Sequence, residues 1–244
     1  MLKRVIPLLL TGGLAYAGPP LLTDDPEPTE QGHWEINLAT TATLRGHTWT
    51  DNLPLLDASY GLLDAVEVSF DLPFVLGDGA GHGSHGGIGD ADIGTKWRFM
   101  KQDKDGITAA IGPDFAFNVS SSAAHHGLVP KGWGLLVPLE VERELGGGNT
   151  VFGEFGYRWN EYGGNGLSGG VAMEHEFSKT FSLMGEMHLE SGPAFRNSEL
   201  VANAGFLWKT SEHTALLGSI GRGLTEGSQP MPKVLGYLAV QFTF

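Results

Sequence analysis

The chain has 244 residues, of which 37 are glycine, none is cysteine and only 18% are charged, with a formal net charge of -13 at pH 7. The absence of cysteine excludes disulfide frameworks and thiolate metal sites, and the acidic balance argues against nucleic acid as a partner. Beyond the N-terminus no apolar run reaches the ~18–20 residues of a spanning helix, so strands are left as the means of crossing a bilayer.

Lys3 and Arg4, the apolar run Val5 to Leu14 and then Ala15-Tyr16-Ala17 follow the order of a secretory signal peptide, so residues 1–17 are expected to be cleaved off. Residues 18–33 follow as an N-terminal extended periplasmic segment. In it Pro19, Pro20, Pro26 and Pro28, which cannot donate to a ladder, stand among Asp24, Asp25, Glu27 and Glu30. The segment suits either a periplasmic tail or a strap tucked into a barrel mouth.

Residues 34–244 alternate with the period of two that marks a strand with one apolar and one more polar face. Trp34 to Gly46 sets Trp34, Ile36 and Leu38 against Glu35, Asn37 and Thr41; Leu53 to Gly61 follows. Ala65 to Leu76 is the clearest, with Val66, Val68, Phe70, Leu72 and Phe74 against Glu67, Ser69, Asp71 and Pro73. Asp90 to Phe99, Ile107 to Asn118, Gly134 to Glu144 and Thr150 to Asn160 repeat the pattern. Gly166 to Phe177, Thr180 to Ser191, Ser198 to Lys209 and Thr214 to Arg222 lead to the last stretch, Val234 to Phe244. The spacing predicts an all-β fold, a single antiparallel transmembrane β-barrel of about twelve strands.

Connection lengths agree with that. The links after even-numbered strands are short and polar, such as Ser178-Lys179, while Gly77 to Gly89, Asn118 to Trp133 and Gly223 to Lys233 are long. Short periplasmic turns and longer external loops are the habit of outer-membrane barrels, and parity puts both termini in the periplasm. In the final strand Val234, Gly236, Leu238, Val240 and Phe242 share a face and the chain ends on Phe244. That ending resembles the signal read by the outer-membrane barrel-assembly machinery. A soluble sandwich or lipocalin-like barrel would also alternate. Trp34, Trp97, Trp159 and Trp208 near strand ends instead match interfacial girdles facing outer-membrane lipid.

Four stretches carry a family resemblance: TDDPEPTEQGHWEI (Thr23 to Ile36), PLLDASYGLLDAVEVSFDLPF (Pro54 to Phe74), GIGDADIGTKWRF (Gly87 to Phe99) and the closing VQFTF. With them the chain resembles the outer-membrane barrel family labelled for the MetA-pathway of phenol degradation. The resemblance implies a transporter-like barrel for aromatic or other hydrophobic compounds, and it brings no substrate-binding residues with it.

The inward phase holds Glu67, Asp71, Asp92, Asp114, Glu140, Glu142, Glu154, Glu174 and Glu186, with Lys96, Arg98, Arg158 and His188. Two readings stay open for them. Glu154, Arg158, Lys96 and Asp92 pair across strands as a plug, or the carboxylates line a pore that prefers cations. His82 and His85, and His125 with His126, lie in two long loops; imidazole pairs bind zinc or copper, but no cysteine or fixed fourth ligand supports a site there. Gly81 to Gly86 matches G-x-G-x-x-G without the following helix that pyrophosphate binding needs. For an enzyme, the clearest histidine on the lipid phase is His175, beside the turn Ser178-Lys179, where it suits an interfacial polar role; no G-x-S-x-G elbow and no candidate triad are present. The expectation is a bacterial outer-membrane channel for passive uptake of an unidentified small solute, without cofactor. A non-conducting structural or adhesive barrel is the alternative, and a lipid-modifying enzyme a more distant one.

Overall fold

The computed structural model describes residues 20–78, 83–101, 106–225 and 230–244, and among these the alternation resolves into twelve wall strands. They are β1 (Trp34–Arg45), β2 (Thr48–Leu63), β3 (Val66–Asp78), β4 in two pieces (Ser84–Ile88 and Asp90–Met100) and β5 in two pieces (Thr108–Ile111 and Asp114–Asn118). Then come β6 (Trp133–Gly146), β7 (Asn149–Asn160), β8 (Gly166–Ser178), β9 (Phe181–Gly192), β10 (Arg196–Lys209), β11 (Thr214–Gly223) and β12 (Pro232–Thr243). Each pairs antiparallel with its neighbour. β12 returns to β1, from Glu35 opposite Thr243 to Arg45 opposite Pro232, so the sheet is closed. Two more bonds seal the seam, Trp34 N to Phe244 O at 2.7 Å and Phe244 N to Trp34 O at 3.1 Å. Closure satisfies the edges that lipid would otherwise leave unpaired.

Three strands depart from the simple alternation, each for a local reason. β2 starts at Thr48 instead of Leu53, because Trp49 to Asn52 also find partners on β1; the register slips between Asn52 and Leu55, and exposed Leu53 with Pro54 forms the irregularity. β4 reaches back to Ser84 across a break at Gly89. β5 is interrupted at Gly112-Pro113, where proline has no N–H to give, although Pro113 O still accepts from Thr95 N at 3.0 Å.

The strands deliver side chains to two surfaces. Outward lie Leu38, Phe70, Ile93, Leu139, Phe155, Val171 and Leu238, all exposed. The tryptophan side chains gather near the strand ends. Trp34, Trp97, Phe99 and Trp208 ring the end that carries the barrel's chain ends and short turns, and Trp49, Trp133 and Trp159 ring the loop end. An apolar band between aromatic girdles is what a bilayer selects.

The inner surface is not uniformly polar, which corrects the sequence-based picture of a charged lumen face. Ala39, Leu55, Leu217, Tyr237 and Ala239 pack together inside on the β1, β2, β11 and β12 side. Strands β11 and β12 carry apolar residues on both phases here, so alternation alone gave no sign of it. At the loop end a short helix, α1 (Ser121–His125), is capped by Ser120, whose Oγ accepts from Ser122 N at 3.3 Å. Ala123, Ala124, Leu128 and Val129 pack on inward-facing Val75, so this loop turns into the barrel mouth. No helix among the described residues is long and apolar enough to cross a membrane.

Candidate functional site

The bore is defined by what occupies it. Residues 20–32, the leader, pass from the turn end into the barrel. Gly32 N donates to Gly61 O at 2.8 Å and Gly61 N to His33 O at 3.1 Å; a Cβ on Gly61 would fall on the carbonyl of Glu30, so the leader can lie this close only over glycine. Further in, Thr29 donates both its N–H (2.6 Å) and its hydroxyl (2.7 Å) to Glu67. Arg98 pairs with Glu27 at the rim. Lys96 Nζ reaches Asp24 Oδ2 at 2.8 Å and donates to Asp25 O at 2.6 Å, with Glu140 Oε2 at 3.7 Å.

The deepest part is a carboxylate clamp. Glu186 accepts from Leu22 N and Thr23 N, both at 2.8 Å, and from Asn203 Nδ2 at 3.0 Å. Glu154 accepts from Asp24 N at 3.3 Å, and His188 Nδ1 meets Thr23 Oγ1 at 3.3 Å. Gly170 faces this seat, and a Cβ there would run into Thr23 and His188. Leu21 packs on Phe152 and Ala172, and Leu22 on Val201 and Leu235. A proline-rich segment with few internal hydrogen bonds is thus satisfied by wall carboxylates, each charge-assisted bond being worth about 1.5–3 kcal/mol.

The predicted residues divide accordingly. Glu67, Lys96, Arg98, Glu140, Glu154, Glu186 and His188 hold or approach the leader. Arg158 lies 3.9 Å from Glu190, which also receives Ser168 Oγ at 2.8 Å. Asp71 sits between Asp57 and Asp92 across β2, β3 and β4, and Asp114 is on β5 opposite Gly94. Glu142 lies opposite Thr108 and Phe152, and Glu174 opposite Thr150 and Met184. The expected network of Glu154, Arg158, Lys96 and Asp92 does not form. Lys96 turns to the leader's Asp24 and Asp25, which bring a carboxylate and a carbonyl closer than its cross-strand partners, and Arg158 to the wall residue Glu190 on β9.

Among the loop histidines, His85 and His126 stack with ring centroids 3.9 Å apart, and His125 stands edge-on to His126 at 5.9 Å. His82 lies outside the described residues, as does part of the Gly81 to Gly86 run. No group of three or more histidine, aspartate or glutamate side chains among the described residues is placed to hold a metal ion. His175 bonds Asn149 Oδ1 at 2.9 Å and its ring abuts Phe177.

Sequence reasoning missed the contributions of Thr23, Thr29, Asn203 and Ser168, and those of the leader's own backbone. Backbone N–H groups leave no mark in a residue pattern. The only available signal was the density of proline and acid in residues 18–33, beside Lys96 and Arg98 on a wall otherwise rich in carboxylates.

Between the leader and the wall from β1 to β6 remains a cavity of about 440 Å³, lined by acids of both and reaching His33 and Thr243 at the turn end. Closed wall, apolar outer band, aromatic girdles and acid-lined interior together define a transmembrane β-barrel of the outer-membrane type. Solved structures agree. The COG4313 outer membrane channel from Pseudomonas putida F1 superposes with a TM-score of 0.69 at 13% identity, covering 90% of this chain and 98% of that one. The KdgM porin gives 0.61 at 10% identity over 86% of this chain and 99% of that one, and the CymD monoaromatic hydrocarbon channel 0.52 at 8% over 88% and 89%. At such identities the likeness speaks for the fold. No protein-family model matches the chain, and no curated protein does.

Proposed function

We propose that the protein is an outer-membrane channel for passive uptake of small solutes, with a bore that favours cations and neutral molecules over anions. The observation that carries this reading is the excess of carboxylates over bases around the 440 Å³ cavity, where Lys96 is already neutralised by Asp24. A low-dielectric wall focuses such a field along the bore, and salt screens it only in part. The likeness in fold to porins and channels supports the class. A polyanion such as the oligogalacturonate bound in one KdgM structure would meet repulsion here.

The solute path runs on the β1 to β6 side, where the leader leaves space. Aromatic or other hydrophobic compounds, which the resemblance to the phenol-degradation family suggests, pass as neutral species. Swelling of liposomes carrying the purified barrel tests the reading. Small neutral and cationic solutes are expected to enter faster than anions of equal size. No swelling with any solute would favour the structural or adhesive barrel, and turnover of the liposome lipid would point to an enzyme.

A further inference from the structure

The cavity between leader and wall falls within the roughly 300–1,000 Å³ of small-molecule sites. Its carboxylates come from separate strands, Glu35 on β1, Asp57 on β2, Glu67 on β3, Asp114 on β5 and Glu140 on β6. Acids alone would amount to a solvated face, but two buried acceptors add a second observation. Asn37, 1% exposed, gives its Nδ2 to Asp57 at 3.0 Å, while its Oδ1 has no hydrogen-bond partner among the described residues. Glu140 is also 1% exposed; its Oε2 has no hydrogen bond, and Lys96 Nζ, 3.7 Å away, sits closer to Asp24. Both residues line the cavity. Buried acceptors are nearly always satisfied; Asn37 Oδ1 is left one donor short, and Glu140 Oε2 has only its long ion pair with Lys96.

Acids on several strands around these acceptors favour a cationic donor with more than one charged end. A single metal ion does not suit the arrangement, since no three acid or histidine side chains among the described residues converge on a point. Adjacent strands hold their side chains about 4.8 Å apart, which spreads the negative charge over the cavity wall. Pro113, Leu136 and Pro138 supply apolar surface between the acids. Spaced charge with apolar intervals matches ammonium groups joined by methylene chains.

We propose that this cavity binds a linear polyamine, with ammonium groups donating to Asn37 Oδ1, Glu140 Oε2 and the carboxylates of Glu35 and Asp57. The proposal narrows the solute class of the cation-favouring bore described above, and binding can be measured without conduction. Titration calorimetry of the folded full-length barrel in detergent, using spermidine, putrescine, butylamine and magnesium chloride, tests it. Spermidine is expected to fill one saturable site at least about tenfold more tightly than butylamine, the worth of one further charge-assisted pair, and magnesium at equal charge should not displace it. Asn37→Ala and the double change Glu35→Gln with Asp57→Asn should each weaken spermidine by about tenfold or more. Heat-modifiable gel mobility shows whether these variants fold, and where they do not, the amine series on the unaltered protein decides. No spermidine binding at millimolar concentration, or equal binding of butylamine and magnesium, overturns the site. Cation-selective conductance without spermidine binding would overturn the polyamine site and leave the channel; binding without conductance would do the reverse.

Discussion

Individual residues show two kinds of constraint, one set by the wall and one by the leader. On β3, Phe70 is 38% exposed and faces outward, and its neighbour Asp71 faces the bore. Phe70→Arg near mid-bilayer should cost about 2–4 kcal/mol of folding stability in lipid, whereas Asp71→Asn should leave it nearly unchanged. Urea unfolding in liposomes reads the difference, and equal tolerance at both sites would mean that neither face meets lipid. Lys96→Ala leaves Asp24 and Glu140 without their buried cation and should weaken leader docking by about 3–5 kcal/mol. Gly170→Ala alters no charge, yet should displace Thr23 from His188 by steric contact alone. Cleavage of the leader by an added protease reports both, with faster clipping expected in each variant and an unchanged rate contradicting the assigned contacts. Alternation made the side of the wall legible for Phe70 and Asp71. It gave no partner for Lys96, because an acid on an irregular leader, far away in sequence, has no period to read.

At the scale of elements, the wall was nearly complete in the sequence and the contents of the bore were not. Strand pattern and loop parity each carry a repeating signal, and they mark the same twelve segments. Where proline broke the period, at Pro54 and Pro113, the strand limits shifted or the strand split. The leader and the loop around α1 fold inward through scattered contacts, such as Thr23 on Glu186 and Leu128 near Val75, that no periodicity announces. Two element-level outcomes follow. Removing residues 20–32 should raise conductance while the barrel keeps its heat-modifiable mobility, since the wall closes without the leader; unchanged conductance would show that the leader does not restrict the bore. Deleting Phe244 removes a residue whose backbone closes the seam with Trp34. It should lower the amount of protein in the outer membrane, and normal insertion kinetics in cells would contradict a role for the terminal strand in assembly.

Taken whole, the molecule is a closed wall whose interior has an apolar side and an acidic side, with a leader clamped between them. The apolar side, from Ala39 to Tyr237, is packed shut; the acidic side keeps the remaining space. In the proposed channel, charge in that space selects among solutes. Planar-bilayer recordings of the reversal potential under a salt gradient measure it directly. A cation-preferring potential is predicted, larger at low ionic strength and moved toward zero by the combined changes Glu140→Gln, Glu142→Gln and Glu154→Gln. Anion preference, or no conductance at any salt concentration, would contradict the account.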